Sequence, residues 1–147
     1  MKNIWTPALF LLFLVISPAV STAESVGDLQ AARSIKVVLE TFVRGESAQS
    51  VEILEEVLDP AFSMTAVLGG KVVVFSREGF LGGIAAKKFG GNNNPLTIES
   101  LEIDGPTAAV EMRIEGPNVR FHHYATLAFS EGTWALVHSL VTMTQPG

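Results

Sequence analysis

A chain of 147 residues with 10 basic and 15 acidic side chains has the length of one domain, and its lack of cysteine excludes disulfide frameworks, thiolate metal sites and cysteine nucleophiles. Its 48% apolar content is inflated by the N-terminus: without the first 23 residues, whose one charge is Lys2, 124 residues remain with a net charge of −6. That balance speaks against a basic nucleic-acid-binding surface.

Lys2 precedes an unbroken apolar run of nine residues, Ala8 to Ile16. Pro18 breaks any helix, and Val20-Ser-Thr-Ala23 offers small residues at the two positions a signal peptidase reads. The pattern predicts a secretory signal cut between Ala23 and Glu24. A bilayer span takes about 20 apolar residues, so no stable membrane anchor is expected. Residues 1–23 are therefore read as a signal peptide and 24–147 as one domain, exported to the periplasm or secreted.

Asp28 to Arg44 reads as a helix, with Ala31, Ile35, Val38, Leu39 and Phe42 at three- and four-residue steps, Asp28 as its cap and Gly45 as its end. A shorter helix is predicted from Ala48 to Leu58, stopped by Asp59-Pro60. Phe62 to Leu68 and Lys71 to Phe75 read as strands around a Gly69-Gly70 turn, and Ser76 caps a third helix running to Lys88. Gly90-Gly-Asn-Asn-Asn-Pro95 is a loop by composition and a candidate for local mobility. From Thr97 the apolar period becomes two: Leu101 and Ile103 lead to an Asp104-Gly105 turn, then Ala108, Val110, Met112 and Ile114 alternate with polar residues. Asn118 to Phe129 and Trp134 to Met143 complete an antiparallel meander. Helices segregated from strands in this way mean an α+β fold.

Several phrases resemble the nuclear transport factor 2-like superfamily, most of all its exported, SnoaL-like "putative lumazine-binding" branch. They are Leu58-Asp-Pro-Ala-Phe62, Ser76-Arg-Glu-Gly-Phe80, Ile103-Asp-Gly-Pro-Thr-Ala-Ala-Val110, Arg120-Phe-His-His-Tyr124 and Gly132-Thr-Trp134, spread over residues 28–143. The resemblance implies a cone, with the N-terminal helices packed in the concave face of a bent antiparallel sheet around a cavity. It also implies that the outer sheet face serves as a homodimer interface, which suits Tyr124, Thr126 and Val137. Members of the superfamily include isomerases, cyclases and dehydratases, so the fold does not settle function.

The final hairpin is the most informative segment. A turn centred on Glu131-Gly132 pairs Phe129 with Trp134, Leu127 with Leu136, Ala125 with His138 and His123 with Leu140, all on one apolar face with Phe121 beyond them. His123 and His138 are then expected inside, as hydrogen-bonding or acid–base groups kept neutral by burial. An odd-residue turn or a bulge would instead turn His122 and Tyr124 inward. Phe80 and Phe42, on helices at the mouth of the cone, are expected to contact a ligand with Phe121.

Carboxylates argue against a ketosteroid-isomerase-like site, which needs an aspartate base and a protonated aspartic acid. Asp28, Asp59 and Asp104 sit at a cap and two turns, and Glu52, Glu55, Glu56, Glu111, Arg113, Lys87 and Lys88 read as solvated charge. No metal motif and no cofactor is indicated. The leading expectation is an exported protein that binds an apolar or aromatic small molecule through His123, His138, Phe121, Phe80 and Phe42. One alternative is a cofactor-free isomerase, cyclase or dehydratase with His138 as its catalytic acid–base group. The other is a dimeric structural or interaction module.

Overall fold

The computed structural model describes residues 22–145, so residues 1–21 of the expected signal segment lie outside the described residues. Helix α1 spans Thr22–Ala48 and buries Ile35, Val38, Leu39 and Phe42, the stripe expected from their spacing. Asp28 is not its cap, because the helix already runs from Thr22. Nor does Gly45 end it. An ideal Cβ on Gly45 would lie 2.7 Å from Leu54 Cγ, so the glycine lets Leu54 pack against the helix. The turn comes at Gln49, whose φ is +50°.

Helix α2 is a single short stretch, Val51–Glu55, capped by Ser50, whose hydroxyl accepts from the Ile53 N–H. It is shorter than predicted because Val57 and Leu58 join the sheet: the Leu136 N–H donates to the Val57 carbonyl, and Leu58 pairs with Leu136. Strand β1 (Leu58–Leu68) turns through Gly69-Gly70 into β2 (Lys71–Ser76). Ser76 then caps α3 (Arg77–Ala85), accepting from the Gly79 N–H at 3.1 Å. The meander consists of β3 (Leu96–Asp104), β4 (Thr107–Glu115), β5 (Arg120–Ser130) and β6 (Thr133–Thr144).

The six strands form one curved sheet in the order β2-β1-β6-β5-β4-β3. Every neighbouring pair is antiparallel, as expected of the meander, except β1–β6, which is parallel. After β2 the chain crosses through α3 and its loop, and the meander brings β6 back beside β1 in the same direction. The helices pack on one face, where Leu54, Phe62, Met64, Phe80, Ile84, Val110, Met112, Leu127 and Leu136 close the core around the α1 stripe.

Three irregularities bend this sheet. Residues 59–62 step out of the β1 ladder, with the Asp59 carboxylate accepting from the Ala61 N–H, which accommodates Pro60 where a ladder donor would be missing. Val137 is an extra residue in β6, opposite that same stretch of β1. Glu99 is an extra residue in β3. A bulge bends its strand and raises the local twist, so matched irregularities in β1 and β6 put the curvature in the middle of the sheet.

Candidate functional site

One end of the cone holds a pocket of about 390 Å³. Its walls are the last turns of α1 (Val43, Glu46, Ser47), the β1–β2 hairpin (Met64, Ala66, Leu68, Phe75), and Phe80 on α3. Ile114, Phe121, His123, Val141 and Met143 close it from β4, β5 and β6, and the segment after α3 adds Lys88, Phe89, Gly90, Asn92 and Asn94. Most of this surface is apolar, with a few polar groups converging on it, the usual make-up of a small-molecule site.

The segment after α3, expected to be mobile, is tied to the end of α1. The Ser47 hydroxyl donates to the Asn92 carbonyl at 2.9 Å, and the Gln49 amide donates to the Phe89 carbonyl at 2.9 Å. The Gly91 N–H donates to the Glu46 carbonyl at 3.0 Å. Gly90 permits that approach: its φ is +72°, and a Cβ there would lie 2.1 Å from the Glu46 carbonyl oxygen.

His123 lies where the hairpin pattern puts it, buried on the inner face with its Nδ1 at 2.9 Å from the Ser139 hydroxyl. Burial, reinforced by the neighbouring charge of His122, lowers its pKa from 6.5 to about 4. The imidazole is therefore neutral near pH 7. With Nδ1 engaged by Ser139, Nε2 is the nitrogen left for the pocket.

His138 is not inside. The Val137 bulge shifts the hairpin pairing by one, so that His138 faces Thr126 and Ser139 faces Ala125. Because side chains alternate along a strand, the extra residue sends His138 to the outer face and brings Ser139 and Val141 inward. On the outer face, His138 Nδ1 lies 2.9 Å from the hydroxyl of Ser63, its partner on β1. The bulge is confined to β6, so β5 keeps its facing, and His122 and Tyr124 also stay outside.

Of the three phenylalanines expected at the ligand, Phe80 and Phe121 line the pocket. Phe42 is fully buried behind it, stacked on Phe80 with ring centroids 6.1 Å apart and edge-on to His123 at 6.4 Å. Phe89 extends the aromatic wall, stacked on Phe80 at 6.1 Å and edge-on to Phe75 at 5.3 Å.

Glu46 is the group that the sequence reading passed over. Its carboxyl has no hydrogen-bond or ion-pair partner among the described residues, and it belongs to the pocket wall. Burial raises its pKa from 4.5 to about 8, so it is a neutral acid at pH 7 and a hydrogen-bond donor. The pocket thus carries a carboxylic acid and an imidazole, both uncharged, whose pKa values have been moved in opposite directions. Pairs displaced in this way are the raw material of acid–base chemistry and of neutral polar recognition.

Structural neighbours share the fold. An NTF-2-like protein of unknown function from Silicibacter pomeroyi DSS-3 aligns with a TM-score of 0.67 at 18% identity, over 86% of this chain and 99% of its own. Another from Shewanella baltica OS155 gives 0.68 at 19% identity over 81% and 97%, and one from Methylobacillus flagellatus KT gives 0.69 at 16% over 78% and 93%. No curated protein matches the chain in sequence. The family described as "putative lumazine-binding" matches residues 30–140, a span that runs from α1 into β6 and includes nearly all of the pocket wall. The chain belongs to that family and has the nuclear transport factor 2-like fold.

Proposed function

We propose that this is an exported binding protein whose pocket takes up a small, flat, largely apolar molecule bearing hydrogen-bond acceptors. The observation that carries the reading is a pocket of about 390 Å³ walled by Phe75, Phe80, Phe89 and Phe121, with a neutral Glu46 and a neutral His123 in its lining. Aromatic walls favour a planar ring system, and a protonated carboxyl donates to a carbonyl or ring nitrogen without the desolvation cost of a buried charge. The family name supports a heteroaromatic of the pteridine class as the first compound to try. Thermal-shift screening with lumazine, flavins and simple aromatic ketones tests this. Saturation at 100 times Kd adds about 2.7 kcal/mol, and a panel that leaves the midpoint unmoved refutes the reading.

The displaced pKa values of Glu46 and His123 favour a second reading, a cofactor-free enzyme moving a proton next to a carbonyl. Loss of deuterium from the α-carbon of a bound ketone, abolished in Glu46→Gln with binding retained, distinguishes catalysis from binding. Export is tested by the N-terminal sequence of the protein recovered from the periplasm or medium, where Glu24 should come first. We further propose a homodimer through the outer sheet face, where Val72, Val74 and Tyr124 are exposed.

A further inference from the structure

On the outer face of the sheet, three adjacent strands bring together side chains far apart in sequence: Glu99 on β3, Glu111 on β4 and His122 on β5. His122 Nε2 lies 2.8 Å from Glu111 Oε1 and 3.6 Å from Glu99 Oε2, and the three ligand atoms all fall within 4.8 Å of one another. Ligand atoms about 2.0–2.2 Å from a common zinc ion sit roughly 3–3.5 Å apart, so the set needs little rearrangement to close on one.

The surroundings hold these groups in place. The β3 bulge turns Glu99 outward next to Ser100, within reach of His122. Arg113 takes the other oxygen of Glu99, Oε1, at 3.1 Å, which leaves Oε2 directed at the imidazole. The ring of Tyr124 packs against that of His122 with centroids 4.7 Å apart and restrains its plane. In the single chain the three side chains are between a quarter and a third exposed, sheltered enough to be ordered and open enough for an ion to enter.

We propose that Glu99, Glu111 and His122 form a binding site for a divalent transition ion of the zinc class, with a water in the remaining position. One imidazole nitrogen and two carboxylate oxygens suit zinc and its neighbours better than calcium or magnesium, which prefer oxygen alone. An ion bound at Nε2 needs that nitrogen unprotonated, so the imidazole would carry its proton on Nδ1 in the loaded site. The site lies on the opposite face from the pocket and stands independently of any ligand bound there.

Titration of the purified protein with zinc alone, followed by calorimetry, should give one ion per chain with a Kd of about 1 μM or tighter. Cobalt in its place should give the visible absorption of a four-coordinate nitrogen–oxygen site. His122→Ala and the isosteric Glu111→Gln should each weaken zinc binding more than about tenfold with unchanged circular dichroism. His138→Ala, which removes a histidine elsewhere on the same face, should leave it intact. Affinity weaker than about 0.1 mM in the unsubstituted protein, or undiminished binding in both ligand variants, overturns the proposal.

Discussion

Replacing Glu46 by glutamine removes a titration that the fold has moved from 4.5 to about 8, while keeping the shape of the neutral acid. The unfolded chain gives up this proton near pH 4.5 and the folded chain holds it to about pH 8, so Glu46 lowers stability as pH rises through that window. His123 acts in the opposite sense. Its folded pKa of about 4 lies below the unfolded 6.5, so stability is lost as pH falls from 6.5 to 4. Between pH 4.5 and 6.5 the two slopes cancel and the protein should show a plateau. Above 6.5 only Glu46 acts, over one and a half pH units at about 1.4 kcal/mol each, a ceiling of about 2 kcal/mol by pH 8. Water reaching the half-buried residue through the pocket mouth solvates part of the charge, so a loss of about 1–2 kcal/mol is expected. For a domain of this size that is a drop of about 4–8 °C in Tm. Glu46→Gln should abolish the alkaline loss and expose the His123 slope, falling by up to about 3 kcal/mol from pH 6.5 to 4.5. Urea unfolding at half-unit pH steps measures both profiles. Parallel curves for the two proteins between pH 6.5 and 8 would refute the account of Glu46.

Gly90→Ala puts a Cβ 2.1 Å from the Glu46 carbonyl oxygen and requires alanine at a φ of +72°. The left-handed conformation alone costs about 1–2 kcal/mol, and the clash adds to it, so a larger loss in urea unfolding is expected. His138→Ala should cost only about 1 kcal/mol, the bond to Ser63, and leave every ligand-induced shift of Tm unchanged. If binding vanished with His138, its place on the outer face would be wrong. Tyr124→Arg puts a charge on the outer sheet face and should convert a dimer to a monomer in light scattering; an unchanged mass would count against that interface.

The sequence marks the elements wherever local physics decides them. The stripe from Ile35 to Phe42, the Ser76 cap, the Gly69-Gly70 turn and the alternation of Ala108, Val110, Met112 and Ile114 all stand in the structure as spacing implies. Two features of the site were illegible for different reasons. Glu46 continues the buried stripe four residues beyond Phe42, and a helix drawn through Gly45 would have found it. That glycine looked like a terminus because its reason for being there, the Leu54 side chain packed against it, belongs to a neighbouring helix. The Val137 bulge leaves no local mark, since Val-His-Ser alternates as an uninterrupted strand would. It answers to the chain around Pro60 on β1, nearly eighty residues earlier, which steps out of the ladder at the same level of the sheet. One inserted residue exchanges His138 for Ser139 on the inner face. The result is one histidine held by a serine hydroxyl, with Phe42 edge-on to its ring, in place of two facing histidines. The two displaced titratable groups of the pocket are thereby divided between a strand and the end of α1, and the hairpin alone accounts for only one of them.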